Sequence, residues 1–291
     1  MRFIVVYILI IFNFQLVAQN KELLKPKKDT MKYYLRGLQY GFNIGVYIPN
    51  AKTANYYNGS GTNDLSKVIM DTFNYAAQYS GIHQQIRENA LNGYDFKIRE
   101  LAKNMNYSIA LNIGFHSQYN FTSNTGIFVD FNYSKLTTQD AVQLELLNTP
   151  TGYLSNDKFR FCNITGKESR VDINLGLYKM FGDVKKFKPY YEFAFNINNT
   201  RVEEANINIP PLSFSYLNQY NEYYKIRDDG IGYGIQAGGG ILVLFTETLI
   251  LNAGANLAVK KINLGSYDNY GFNPNVYIRI LFRNLISAKP E

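Results

Sequence analysis

Tyr107-Ser-Ile-Ala-Leu-Asn-Ile-Gly-Phe-His-Ser-Gln-Tyr-Asn-Phe121 decides the fold, because its two sets of alternate residues have opposite chemistry. The odd positions read Tyr107, Ile109, Leu111, Ile113, Phe115, Ser117, Tyr119 and Phe121, whereas the even positions are Ser108, Ala110, Asn112, Gly114, His116, Gln118 and Asn120. A period of two over such a run specifies a strand with one apolar and one small or polar face. An ordinary strand has about 5 or 6 residues. A strand tilted across a bilayer needs about 9–11, so this stretch suits a membrane crossing with some extension into water.

The pattern occurs seven more times. Tyr40 to Ile48, Ile127 to Tyr133, Val171 to Leu177 and Tyr191 to Ile197 each set large apolar residues against Gly, Asn, Asp or Ala. Two later stretches carry glycine on the small face, at Gly232, Gly234, Gly238 and Gly240 and again at Gly254, and the last runs from Val276 to Phe282. Eight strands is an even number, as closed bacterial barrels require. The connections sort by length. Thr122–Thr125, Gly182–Lys186 and Thr246–Glu247 are short, while the segments near 50–105, 136–168, 202–229 and 261–273 are long. The expected fold is therefore all-β: an eight-stranded antiparallel transmembrane β-barrel with long extracellular loops, the first partly helical. A secreted β-sandwich also alternates, but it needs neither such long strands nor loops sorted into two lengths. Aromatics near the short turns, Tyr119, Phe121, Phe128, Phe181, Phe187, Tyr190, Tyr191 and Phe245, read as an interfacial girdle.

The N-terminus reads as a leader. Arg2 is followed by an apolar run from Phe3 to Phe14 and a small residue, Ala18, at a plausible cleavage point. Residues 1–18 are expected to be a signal peptide, 19–37 a basic periplasmic segment, 38–285 the barrel and 286–291 a tail. An uncleaved anchor is the alternative. Localisation in a Gram-negative outer membrane with periplasmic termini follows. The net charge of +7 owes much to Lys21, Lys25, Lys27, Lys28, Lys32 and Arg36. A basic stretch beside a membrane meets lipid phosphate or solvent, and nucleic acid is not an expected partner of an exported chain. The single cysteine, Cys162, rules out an internal disulfide.

An eight-stranded barrel has room inside for side chains and little else. Inward parity collects Asp130, Asp172, Glu192, Arg279, Lys260 and His116, which are expected to form a structural lumen network of ion pairs and amides. In the first loop, Asp64 is placed to cap a helix with Leu65, Val68, Ile69 and Phe73 on one face, and Ile82, Ile86 and Ala90 mark a second. Together they are read either as a lid or as a plain structured loop. Val142, Leu144 and Leu146 followed by Phe159 and Phe161 suggest a hairpin above the membrane. In the third loop Tyr216, Tyr220, Tyr223 and Tyr224 form a candidate contact surface. Catalysis has little to build on: His83 has only Asp71 or Asp95 as candidate partners, and no metal, cofactor or nucleophile motif is present. No cofactor is expected.

With the Ala18-Gln19 junction, the opening strand Tyr40-Gly-Phe-Asn-Ile-Gly45 and the glycine-alternating sixth and seventh strands in view, the chain resembles the Bacteroidota outer-membrane barrels grouped around PorT. That resemblance spans roughly residues 19–285 and implies a role in protein export. The expected function is a non-enzymatic scaffold or accessory subunit of an export, assembly or surface complex. Its partners are outer-membrane lipid and other outer-membrane or periplasmic proteins. The alternatives are a surface adhesin using the Tyr/Asn-rich loops and, third, a barrel hydrolase.

Overall fold

The inward rows in the strands above are mostly small or polar and the outward rows mostly apolar, so a sheet built from them buries its backbone only by closing on itself in lipid. The computed structural model, which describes residues 35–60, 64–70, 81–150, 155–182, 187–217, 229–246, 248–264 and 267–283, shows that closure. The strands are β1 (Gly37–Tyr47), β2 (Phe96–Glu100), β3 (Asn106–Tyr107), β4 (Ala110–Asn120), β5 (Thr125–Leu146), β6 (Phe159–Met180), β7 (Phe187–Ile209), β8 (Leu212–Ser215), β9 (Asp229–Leu244), β10 (Leu249–Leu264) and β11 (Tyr267–Arg283).

Eight of them, β1, β4, β5, β6, β7, β9, β10 and β11, form an antiparallel ring in chain order. β1 closes it by pairing with β11, Tyr40 opposite Phe282 and Val46 opposite Val276. The outward rows form an apolar belt: Phe42 is 65% exposed, Leu175 59% and Ile278 52%. In water such a belt is untenable, since contiguous exposed apolar patches on soluble monomers rarely exceed a few hundred Å². Acyl chains are its solvent, and the protein is a transmembrane β-barrel.

Some of the wall was expected to be loop. β5 and β6 stay paired from Thr125 opposite Lys179 up to Glu145 opposite Phe159. The hairpin read from Val142 to Phe161 is thus the upper part of two barrel strands rather than a separate loop. β7 likewise reaches Ile209 and turns at Pro210-Pro211 into β8. The barrel is tall on one side, where β2 and β8 extend the β5–β6–β7 sheet. Near Tyr107 the alternation breaks: that residue pairs with the inward Thr138 on β5, whereas Ile109 is 68% exposed. The irregularity across Ser108 reverses the face, and Tyr107, expected outward, turns in.

Tyr119, Phe121, Phe181, Phe187 and Tyr191 are exposed at the short-turn end, with the rings of Phe181 and Tyr191 5.1 Å apart. Phe128 and Tyr190 leave the expected girdle. They are inward and buried, packing with Leu35, Met180, Leu242, Ile250 and Leu281 into an apolar floor.

Leu175→Arg places a charge at mid-belt and is expected to lower stability by about 2–4 kcal/mol. Thr165→Arg, on the same face but above the belt, is expected to change it by less than about 0.5 kcal/mol. Urea unfolding in phospholipid vesicles, followed by the shift between folded and unfolded bands on a gel, reads both.

The filled interior and the cap as candidate sites

Parity puts each inward side chain of the ring into a narrow, lipid-surrounded space, where a charge persists only beside a partner. The structure stacks most of the charged ones in three layers. In the layer above the floor, Arg279 on β11 donates through Nη1 to Glu192 Oε2 at 2.7 Å and through Nη2 to Asp130 Oδ2 at 3.0 Å. His116 Nδ1 lies 2.5 Å from the other oxygen of Asp130, and its Nε2 lies 2.9 Å from Gln118 Oε1. Gln118 donates to Gln39, and Gln39 donates to the backbone carbonyl of Leu35 at 3.2 Å. The layer is therefore tied by an amide chain to the residue that closes the floor. The Arg279 guanidinium also sits 4.0 Å from the centre of the Tyr277 ring.

In the middle layer Lys260 on β10 donates to Asp172 Oδ1 at 2.5 Å, and Asn196 donates to the same oxygen at 3.0 Å and to Asn174. The upper layer was not anticipated. Arg170 Nε donates to Glu168 Oε1 at 2.7 Å, and its other nitrogens reach the Tyr47 hydroxyl and Thr53. Tyr57 and Tyr107 both donate to Glu168 Oε2, at 2.9 and 2.8 Å. Glu168 and Arg170 lay beside or inside what read as a long loop. Extending the parity of Asp172 by two and four residues toward the N-terminus finds both.

Asp130, Asp172, Glu192, Arg279, Lys260 and His116 are thus all buried, but in two separate clusters rather than one network. In these layers four carboxylates, Asp130, Asp172, Glu168 and Glu192, face Arg170, Lys260, Arg279 and one imidazole, and two further cations, Lys188 and Arg283, are buried nearer the short-turn end. Several amide oxygens, among them Asn43 and Asn132, have no hydrogen-bond partner in the protein. Both rest against Gly114, where a Cβ would collide with them. A peptide Cα–H contact of that kind is a weak substitute for a hydrogen bond. Around His116, Tyr190 and Arg279 only a cavity of about 10 Å³ remains, room for roughly one water.

The long-loop end is closed by a folded cap. Asp64 caps helix α1 (Leu65–Ile69) by accepting from Ser66 N at 2.9 Å, and α2 (Ile82–Asn89) buries Ile86. Phe73 lies outside the described residues. A 3₁₀ turn at Ala51–Tyr57, absent from the sequence reading, supplies buried Tyr56 and Tyr57. These residues pack against Val142, Leu144, Cys162, Ile164, Val202 and Ile207 on the inner face of the tall wall. Gly166 leaves the space that the Tyr57 ring fills against β6, where a Cβ would collide with it. Burial and the neighbouring Glu168 raise the Tyr57 phenol well above its usual value.

Tyr216 corrects the expected contact surface: it is 1% exposed and donates from its hydroxyl to the Tyr57 carbonyl at 2.8 Å. An apolar core this close draws a large aromatic inward when its hydroxyl finds a partner. Tyr220, Tyr223 and Tyr224 lie outside the described residues. His83 sits 3.2 Å from Asp95 and stacks on Phe96 at 4.7 Å, a cap contact, while Asp71 is outside the described residues. Among the described residues no three His, Cys, Asp or Glu side chains are grouped to hold a metal.

Comparison with solved structures finds similarity to three outer-membrane or surface proteins. Neisserial surface protein A is 8% identical, with 85% of this chain and 96% of that chain covered and a TM-score of 0.37. The outer membrane protein OprG from Pseudomonas aeruginosa is 11% identical, covering 85% and 93%, with a TM-score of 0.37. Ail, the attachment invasion locus protein of Yersinia pestis, is 9% identical, covering 85% and 97%, with a TM-score of 0.31. No family model and no curated protein matches the sequence.

Arg279→Met leaves Asp130 and Glu192 buried without their common cation. The expected cost is about 3–5 kcal/mol, read as a fall in the urea midpoint of the folded barrel.

Cys162 gives a second test, on the cap. Burial pushes its thiol from 9.0 up to about 11, so the folded state resists thiolate formation. Its contribution to stability is full below pH 9 and is lost as pH rises from there through 11. Maleimide labelling at pH 7.5 is expected to be negligible in the folded protein and rapid in urea. Gly166→Leu, which displaces Tyr57, is expected to restore labelling while the barrel still runs as a folded species.

Proposed function

We propose that the protein is a non-conducting outer-membrane scaffold, which holds a folded cap on the cell surface and a basic N-terminal segment in the periplasm for a larger complex. One observation carries the reading: the barrel is filled along its length. The apolar floor, three charged layers and the cap core follow one another, and a porin needs a continuous aqueous path instead. A barrel whose inward side chains are packed in this way has its surfaces left for function.

The direction of insertion follows from the leader at residues 1–18, which sends the chain across the inner membrane, and from the short-turn end holding both barrel termini. The segment expected at 19–37 gives up Leu35 to the barrel floor and Gly37 to β1, so residues 19–34 then lie in the periplasm, and the tail after residue 285 as well. The likeness to PorT-type barrels adds export as the process served. Lipid is one partner, and protein subunits of that complex are the others. An adhesin reading loses Tyr216, which the cap core holds.

Extraction in a mild detergent followed by affinity purification is expected to bring down stoichiometric protein partners, and deleting residues 19–34 to release those bound in the periplasm. Isolation of the barrel alone from intact membranes argues against a scaffold. In planar bilayers the purified protein is expected to give no stepwise conductance, and open channels of porin size would refute the filled-barrel reading.

A further inference from the structure

The outer face of the tall wall continues upward from the lipid belt without interruption. On β6 the outward row leaves the belt at Val171 and proceeds through Ser169, Lys167, Thr165 and Asn163 to Phe161. Phe161 lies roughly 30 Å along the strand from the belt, at about 3.3 Å per residue.

Just above the belt the charged residues pair across strands. Lys135 meets Glu203 at 2.7 Å, Lys167 meets Glu204 at 2.7 Å and Lys261 meets Asp268 at 2.6 Å. Each of these cations has its carboxylate, so the row is neutral. Higher still, the register builds two uncharged rows. Gln139, Thr165, Asn206 and Ser215 stand abreast on β5, β6, β7 and β8, and Asn163, Asn208 and Ser213 form the next row. Phe161 stands beyond them with 71% of its surface exposed, opposite Gln143.

We propose that this face binds the uncharged saccharide of the glycolipid leaflet surrounding the barrel. The inference rests on the outward placement of the long-loop end given above. Continuity argues for this occupant: the face is the same side of the same strands that meet acyl chains lower down, so it stands in the sugar layer of the leaflet they enter. Its chemistry fits as well. A pyranose ring offers an apolar C–H face to an aromatic and a set of hydroxyls to groups that both donate and accept, as Asn, Gln, Ser and Thr do. A phosphate or acidic peptide meets no unpaired cation among these rows. A protein interface needs a desolvated apolar centre, and Phe161 among amides is too little, since the next ring on the row, Phe159, is covered by Arg99 at 4.2 Å.

The chain contains no tryptophan, so Phe161→Trp introduces a single indole at an exposed position. The variant is reconstituted in nanodiscs of lipopolysaccharide carrying its core saccharide, and in parallel in lipid A trimmed of it. Acrylamide quenching is expected to be roughly twofold or more weaker with the saccharide present, as stacking shields the ring. Adding Asn163→Ala and Asn208→Ala is expected to raise quenching toward the trimmed-lipid value. Equal quenching in both discs, with the barrel inserted, overturns this inference and leaves the scaffold reading intact. Shielding that depends on protein density and not on the sugar means a second copy covers the face, and also overturns it. A chain that fails to insert in either disc removes both readings.

Discussion

Pairing of β1 with β11 is the constraint on which the molecule depends. Lipid offers no hydrogen bonds, and an unsatisfied peptide group there costs several kcal/mol. A sheet of these strands left open would carry two bare edges in hydrocarbon. Closing the first strand on the last removes both at once. Closure also fixes inside and outside for every residue, because side chains alternate strictly along each strand. The apolar belt and the charged layers are two consequences of that one geometric act.

A narrow closed interior imposes its own requirement. Eight strands enclose a space that side chains fill, and charges in it need partners within hydrogen-bond reach. Arg279 meets two carboxylates, Lys260 one, and Arg170 one carboxylate, a phenol and a threonine. Such pairs contribute little net stability against an apolar core of equal volume, yet removing one partner is expensive. They therefore act as locks on register more than as a source of affinity between strands. The Gln39–Gln118–His116 chain extends the lock down to Leu35, joining the segment that enters the barrel to the layer that fills it.

Above the lipid the same strands serve another solvent. Where β5, β6 and β7 outgrow the membrane, the inner face turns from charged to apolar, with Val142, Cys162, Ile164 and Ile207 in place of Asp and Arg. That face requires a cover, and the first loop supplies it through Tyr56, Tyr57, Leu65 and Ile86. The cap is consequently held as a soluble domain is held, by buried apolar area, while the wall beneath is held by closure. Its outer face, neutral and rich in amides, changes character at the same height.

The sequence by itself determined the eight strands of the ring, the face of nearly every residue in them and the cap on α1. Alternation is a local property, and so is the reach of Asp64 to a backbone N–H two residues on. Local pattern also assigned Asp130, Asp172, Glu192, Lys260, Arg279 and His116 to the interior. Only the tertiary structure decided which of them meet, since ring position and stagger set the height at which side chains from distant strands arrive. It alone showed that β5, β6 and β7 run on past the membrane, because a polar outward row resembles a loop when its partner strand is unknown. The inward turns of Tyr107 and Tyr216 were decided there too. A break of one residue reverses a face, and a buried hydroxyl goes where an acceptor waits, here Glu168 for one and the Tyr57 carbonyl for the other.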